Sequence, residues 1–153
     1  MRNFNTAFTL IELVFVIVIL GILAVVAIPK LAATRNDAVI SKLASNIMTG
    51  AAEISSYAMS KSYIDSNFTV MSRSMTSMAN TGDAILSANK AEIKAGSVND
   101  CVIVSIDINN TTGIDTLNID FTNAGSDSVC LALQGAIDTN EYPMKLRGTN
   151  VSY

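Results

Sequence analysis

Sixteen consecutive apolar residues, Leu13 to Ile28 counting Gly21, stand near the start of the chain. Carried back to Phe8, with Thr9 and Glu12 as its polar members, the stretch has 21 residues. As an α-helix it spans about 31 Å, close to the roughly 30 Å hydrocarbon layer of a bilayer. A helix apolar on every side must be buried in lipid or in protein. Its N-terminal position makes membrane contact the first reading. An ordinary secretory signal peptide shares some of these features: Arg2 is basic, and Val25-Val26-Ala27 and Leu31-Ala32-Ala33 are passable small-residue cleavage sites. Against it, the run is longer than the apolar region of such peptides, and Glu12 lies inside it. A carboxylate is costly to insert into a spanning helix, so Glu12 is expected to have a partner.

The remainder of the composition removes most enzyme designs. The 153 residues are about one domain's worth of chain. Half are apolar and 15% are charged, which excludes disorder of the whole chain. With 10 Lys+Arg against 13 Asp+Glu, the net charge is -3, and no electrostatic footprint for nucleic acid exists over the chain. There is no His, so Ser-His-Asp and Cys-His catalysis and every His-ligated metal site are excluded. Two Cys cannot build a four-thiolate zinc site within one chain. An enzyme would have only scattered Ser and Asp to work with.

The segment Thr6-Ala7-Phe8-Thr9-Leu10-Ile11-Glu12-Leu13, directly before the apolar run, resembles the class III signal of type IV pilins and type II secretion pseudopilins. The resemblance covers Thr6 to Leu31 and extends more loosely to about Ser60. It implies that a prepilin peptidase removes the leader 1–7 by cutting between Ala7 and Phe8, and that the new amino group of Phe8 is methylated. Family members usually carry Gly before the cut; Ala7 stands there in this chain. Pro29 falls where many members carry a helix-kinking Pro. The resemblance further implies a filament subunit that self-assembles with homologous pilins. It would be held first in the inner membrane, with its C-terminal part in the periplasm, and then extracted into a pilus or pseudopilus by an inner-membrane assembly platform.

The physics agrees with that route. A charged amine at Phe8 and a carboxylate at Glu12 are one helical turn apart. Between neighbouring subunits, pairing of amine and carboxylate offsets part of the desolvation of each and penalises any stagger that leaves Glu12 alone. Glu12 is thus expected to determine assembly. The plainer alternative is a carboxylate snorkelling at headgroup level.

After Pro29 the pattern becomes amphipathic. Val39, Ile40, Leu43, Ala44, Ile47, Met48, Ala51 and Ile54 recur at three- and four-residue steps, with Arg35, Asp37, Lys42 and Glu53 opposite. This predicts one helix from Phe8 to about Ser60: residues 8–28 as spanning and filament-core helix, residues 29–60 as its amphipathic half. A helix end at Ile28 is the alternative. Residues 61–153 form the globular part. Met71, Met75 and Met78 predict a short helix and are read as core filling, since no Cys or His stands beside them to complete a soft-metal site. Ala84 to Ala95, rich in Ala, Lys and Glu, reads as a second short helix ended by Gly96. From Cys101 the period becomes two: Val102, Val104, Ile106 and Ile108 form one strand, Leu117, Ile119 and Phe121 a second, and Val129, Leu131 and Leu133 a third. The tail from Gly135 reads as irregular. The expected fold class is α+β, a long N-terminal helix packed on a small antiparallel sheet.

Cys101 and Cys130 fall at the starts of the first and third expected strands. Paired, they point to an oxidising compartment; two buried free thiols are the alternative. Cys101 to Met144 contains no Lys or Arg but six acids. Asp107, Asp115 and Asp120 are hard oxygen donors that calcium could use, although Asp107 to Gly113 departs from an EF-hand loop in its Gly position and its twelfth residue. A solvated acidic face is the reading adopted, and no cofactor is expected. The Asn-x-Ser/Thr matches at Asn67, Asn109, Asn110 and Asn150 are short enough to arise by chance. A structural subunit is therefore the leading function. The competing class is a periplasmic binding module on an uncleaved signal anchor, which accounts for the apolar run and the cysteines but not for Glu12.

Overall fold

The computed structural model describes residues 8–109 and 114–147. Arg2, Ala7, residues 110–113 of the Asp107 to Gly113 segment, and the Asn110 and Asn150 sequons lie outside them. The chain divides into two compact units, Met1–Ala38 and Val39–Tyr153. Helix α1, Leu10–Lys61, contributes to both. It continues through Pro29, as the amphipathic pattern beyond that residue predicts, and the alternative of a helix end at Ile28 does not hold. Pro29 has no N–H to offer the Val25 carbonyl, and one rung of the ladder is missing there.

In the first unit, the large apolar side chains of Phe8 to Leu31 are all exposed, from Ile19 at 41% to Phe8 at 82%. The helix is long and apolar enough to cross a membrane.

The second unit is an α+β domain. From Val39, α1 is followed by α2 (Phe68–Met71) and α3 (Arg73–Asn80), then by strands β1 (Ala84–Ser87), β2 (Lys90–Ala95), β3 (Val98–Asp107) and β4 (Asp115–Phe121), helix α4 (Ser128–Ala136) and strand β5 (Met144–Arg147). The five strands lie in chain order, each antiparallel to its neighbours. Ala91, Val104 and Ile119 stand side by side across β2, β3 and β4 on the buried face, as do Ile93 and Val102 on β2 and β3. Against them, α1 contributes Leu43, Ile47, Ala51, Ile54 and Ala58, spaced by three and four residues. Phe68, Met71, Met75, Met78 and Leu133 complete the same core. The methionines are thus packing residues, and Met75 sits so close to α1 that a Cβ on Gly50 would stand 2.7 Å from its Cε. Val39, expected on the buried face, is 41% exposed; the face begins at Ile40.

Three expectations are overturned. Ala84 to Ala95 is the hairpin β1–β2, turned at Asn89 in a left-handed conformation (φ 59°). Ala, Lys and Glu favour helix by only a few tenths of a kcal/mol each, and pairing with β3 overrides them. Ala91, Ile93 and Ala95 carry the period-two pattern along β2 and are buried, as is Ala84, which pairs with Ile93. Val129 to Leu133 lies in helix α4: Cys130, Leu133 and Ile137 are buried at helical spacing, and Leu131 is exposed. Finally, the tail is not wholly irregular, because β5 pairs with β4 and buries Leu146. Cys130 accordingly sits in the first turn of a helix, and Cys101 four residues into β3.

Candidate functional site

The start of α1 is built by three residues, Thr9, Glu12 and Leu13. The Thr9 carbonyl accepts the first helical bond from the Leu13 amide at 3.2 Å. The Thr9 hydroxyl oxygen accepts from the Glu12 amide at 3.3 Å, while the Glu12 carboxylate reaches back to accept from the Thr9 amide at 2.9 Å and the Thr9 hydroxyl at 2.7 Å. This is a capping box, in which two residues satisfy each other's orphan donors. Its signature, Thr-x-x-Glu before an apolar run, is present in the sequence, but the reading above assigned Glu12 to assembly alone. Both bonds to the carboxylate fall on Oε2; among the described residues none falls on Oε1. The carboxylate therefore caps its own helix and keeps lone pairs for a further cationic donor.

The remaining expected site residues separate. Cys101 and Cys130 stand at disulfide distance, with sulfurs 1.97 Å apart, and both are fully buried. The three acids weighed for calcium do not converge. Asp115 is buried in line with Leu117 and Ile119, and its Oδ1 accepts the Asn109 amide at 3.1 Å. Asp120 is on the opposite, exposed face of β4, and Asp107 accepts from the Asn118 amide group at 2.7 Å. Among the described residues, no group of three or more Asp, Glu, Cys or His is placed to hold a metal ion. A depression of about 620 Å³ beside α3 is lined by Asn46, Arg73, Ser77 and Asn80 among others, with no carboxylate or thiol to serve as a base.

Sequence reasoning missed one polar centre, Asp127. Its Oδ1 accepts the Val129 and Cys130 amides at 3.0 and 2.9 Å, capping α4, and its Oδ2 accepts the Ser97 amide and hydroxyl at 2.8 and 2.7 Å. An Asp before a helix-length apolar segment was the available signal. The hydrogen bond from the Ser97 amide, then that from the Cys130 amide, hold this carboxyl down at about 2, against an ordinary 3.8. Burial pushes Glu53 upward, but bonds from Ser72 Oγ at 2.6 Å and the Ser74 amide at 3.0 Å outweigh it, so its value is lowered. Asp83 is lowered first by its bond to Lys42, at 2.8 Å.

A group with a depressed folded pKa stabilises the fold fully above its unfolded value and loses that contribution as pH falls through the folded value. All three carboxylates act in that direction. For Asp127 the window lies between about 3.8 and about 2. The thermal midpoint of the protein is expected to fall on acidification through this range. Asp127→Asn should flatten the dependence, and an unchanged slope in a pH series of melting curves would count against the clasp. Gly96 belongs to the same centre. It has φ 59°, and a Cβ there would collide with the Asp127 carboxylate oxygens. Gly96→Ala is expected to destabilise by about 1–3 kcal/mol from backbone conformation alone, read as a lower urea midpoint.

The family model of the prokaryotic N-terminal methylation motif matches residues 2–28. That motif is the class III signal of type IV pilins and pseudopilins. No curated protein and no solved structure matches the chain.

Proposed function

We propose that this chain, carrying a pilin-type signal, is a structural subunit of a type IV pilus or a type II secretion pseudopilus. The observation that carries the reading is the methylation motif running straight into an exposed, membrane-length apolar helix. In this reading a prepilin peptidase cuts between Ala7 and Phe8, and Phe8 is methylated. The mature subunit waits in the inner membrane with residues 8–28 in lipid. An assembly platform then transfers it into a filament. The Phe8 amine of one subunit meets the Glu12 carboxylate of another, a pairing supported by the open Oε1. The C-terminal domain faces the periplasm, a placement supported by two buried cysteines at disulfide distance.

The test is the intact mass and N-terminal peptide of the protein from its native host. A chain beginning at methylated Phe8 is the expected result. A start at Ile28 or Thr34 would mean ordinary secretion and would remove the filament helix. An intact Met1 in the mature, membrane-extracted pool would support an anchored binding module instead.

A further inference from the structure

Cys101 and Cys130 belong to different layers and are 29 residues apart. Their backbones are nevertheless held together by bonds that do not involve the S–S link. On one side, the Asp127 carboxylate joins the Cys130 amide to Ser97, in the turn that leads into β3. The absence of a side chain at Gly96 leaves space for that carboxylate. On the other side, Gln134, one helical turn beyond Cys130, donates through Nε2 to the Cys101 and Thr122 carbonyls, both at 2.9 Å. The same Nε2 lies 3.5 Å from the Cys130 sulfur. The first turn of α4 is therefore fixed over β3 by contacts available to the reduced chain.

We infer that Asp127 is a positioning residue for oxidation: its clasp on Ser97 brings the Cys130 thiol beside the Cys101 thiol before the disulfide forms. The inference stands apart from the pilin reading and requires only that the chain meet an oxidant of the disulfide class. One protein thiolate attacks a sulfur of that reagent, releasing one reagent thiol and leaving a mixed disulfide. The second protein thiolate then attacks the protein sulfur and expels the other reagent thiol. Two protein S–H bonds and one reagent S–S bond become one protein S–S bond and two reagent S–H bonds, with two electrons passing to the reagent. The second step is intramolecular, so its equilibrium and rate scale with the effective concentration of one thiol at the other. A loose α4 lowers that concentration.

The experiment equilibrates the reduced full chain, in detergent, with graded ratios of reduced to oxidised glutathione, and counts free thiols by alkylation and mass. Asp127→Ala is expected to need a buffer about five- to tenfold more oxidising to reach half-closure, the scale of losing a helix cap. Ser72→Ala removes the cap of α3, whose hydroxyl accepts the Met75 amide at 3.1 Å. It weakens the same domain but should leave the half-closure ratio unchanged, as no merely structural role would predict. Equal shifts in the two variants, or an Asp127→Ala ratio within about twofold of the wild type, would overturn the inference. If reduced Asp127→Ala is unfolded by circular dichroism, Ser97→Ala replaces it. Loss of that one hydroxyl bond is expected to shift the ratio about twofold, and no shift would overturn the inference equally.

Discussion

Exchanging Glu12 for glutamine is expected to lower incorporation into filaments by at least about 100-fold while leaving membrane insertion intact, because it strands the partner charge of a desolvated pair. The substitution is chosen for what it preserves. Glutamine can occupy the third helical position of a capping box, so the Thr9 amide keeps an acceptor and α1 keeps its start. Only the charge is lost. Glu12→Leu removes the charge and the side-chain half of the capping box together, and should insert more readily while failing equally to assemble. Immunoblotting of sheared filaments against the membrane pool separates the two steps. If Glu12→Gln assembles like the wild type and Glu12→Leu does not, the carboxylate acts as a cap and the intersubunit ion pair is wrong.

The second large effect is on stability. Replacing Cys101 and Cys130 together with serine is expected to cost about 3–4 kcal/mol, since the unfolded chain regains the freedom of a loop of about 30 residues. The urea midpoint of the double variant measures it. Both positions are fully buried, so a serine hydroxyl without a partner would add to the loss. A midpoint equal to that of the wild type would mean that the pair is reduced in the native protein. The glutathione titration, run on the wild type, reports that state directly.

Much of this architecture was open to a reading of residues because local chemistry specified it. A run such as Leu13–Ile28 has few options besides a helix in an apolar surrounding. The three- and four-residue spacing from Ile40 to Ile54 fits only one buried helical face. Val102, Val104 and Ile106, and then Leu117 and Ile119, alternate strictly, and all are buried. With two cysteines in the chain, only one intrachain pair could form.

Where the reading failed, two local patterns competed and a partner distant in sequence chose between them. Ala84 to Ala95 has helix-forming composition, but β3 would have a bare edge without β2, and the register Ala91 to Val104 settles the segment as a strand. Val129 and Leu133 satisfy a period of two and a period of four alike. Asp127 and the buried Cys130 decide for helix, since a capped first turn places the sulfur over β3. The Asp127 clasp itself joins residues 30 apart, and no pattern along the chain marks Ser97 as its partner. The long helix, its cap residues and the strand faces follow from neighbours within a turn or two. The pairing of β1 with β2, the helical state of α4 and the surroundings of the cysteines follow from which surfaces remain to be covered once the core has closed. A sum of short-range preferences, each worth a fraction of a kcal/mol, does not contain that information.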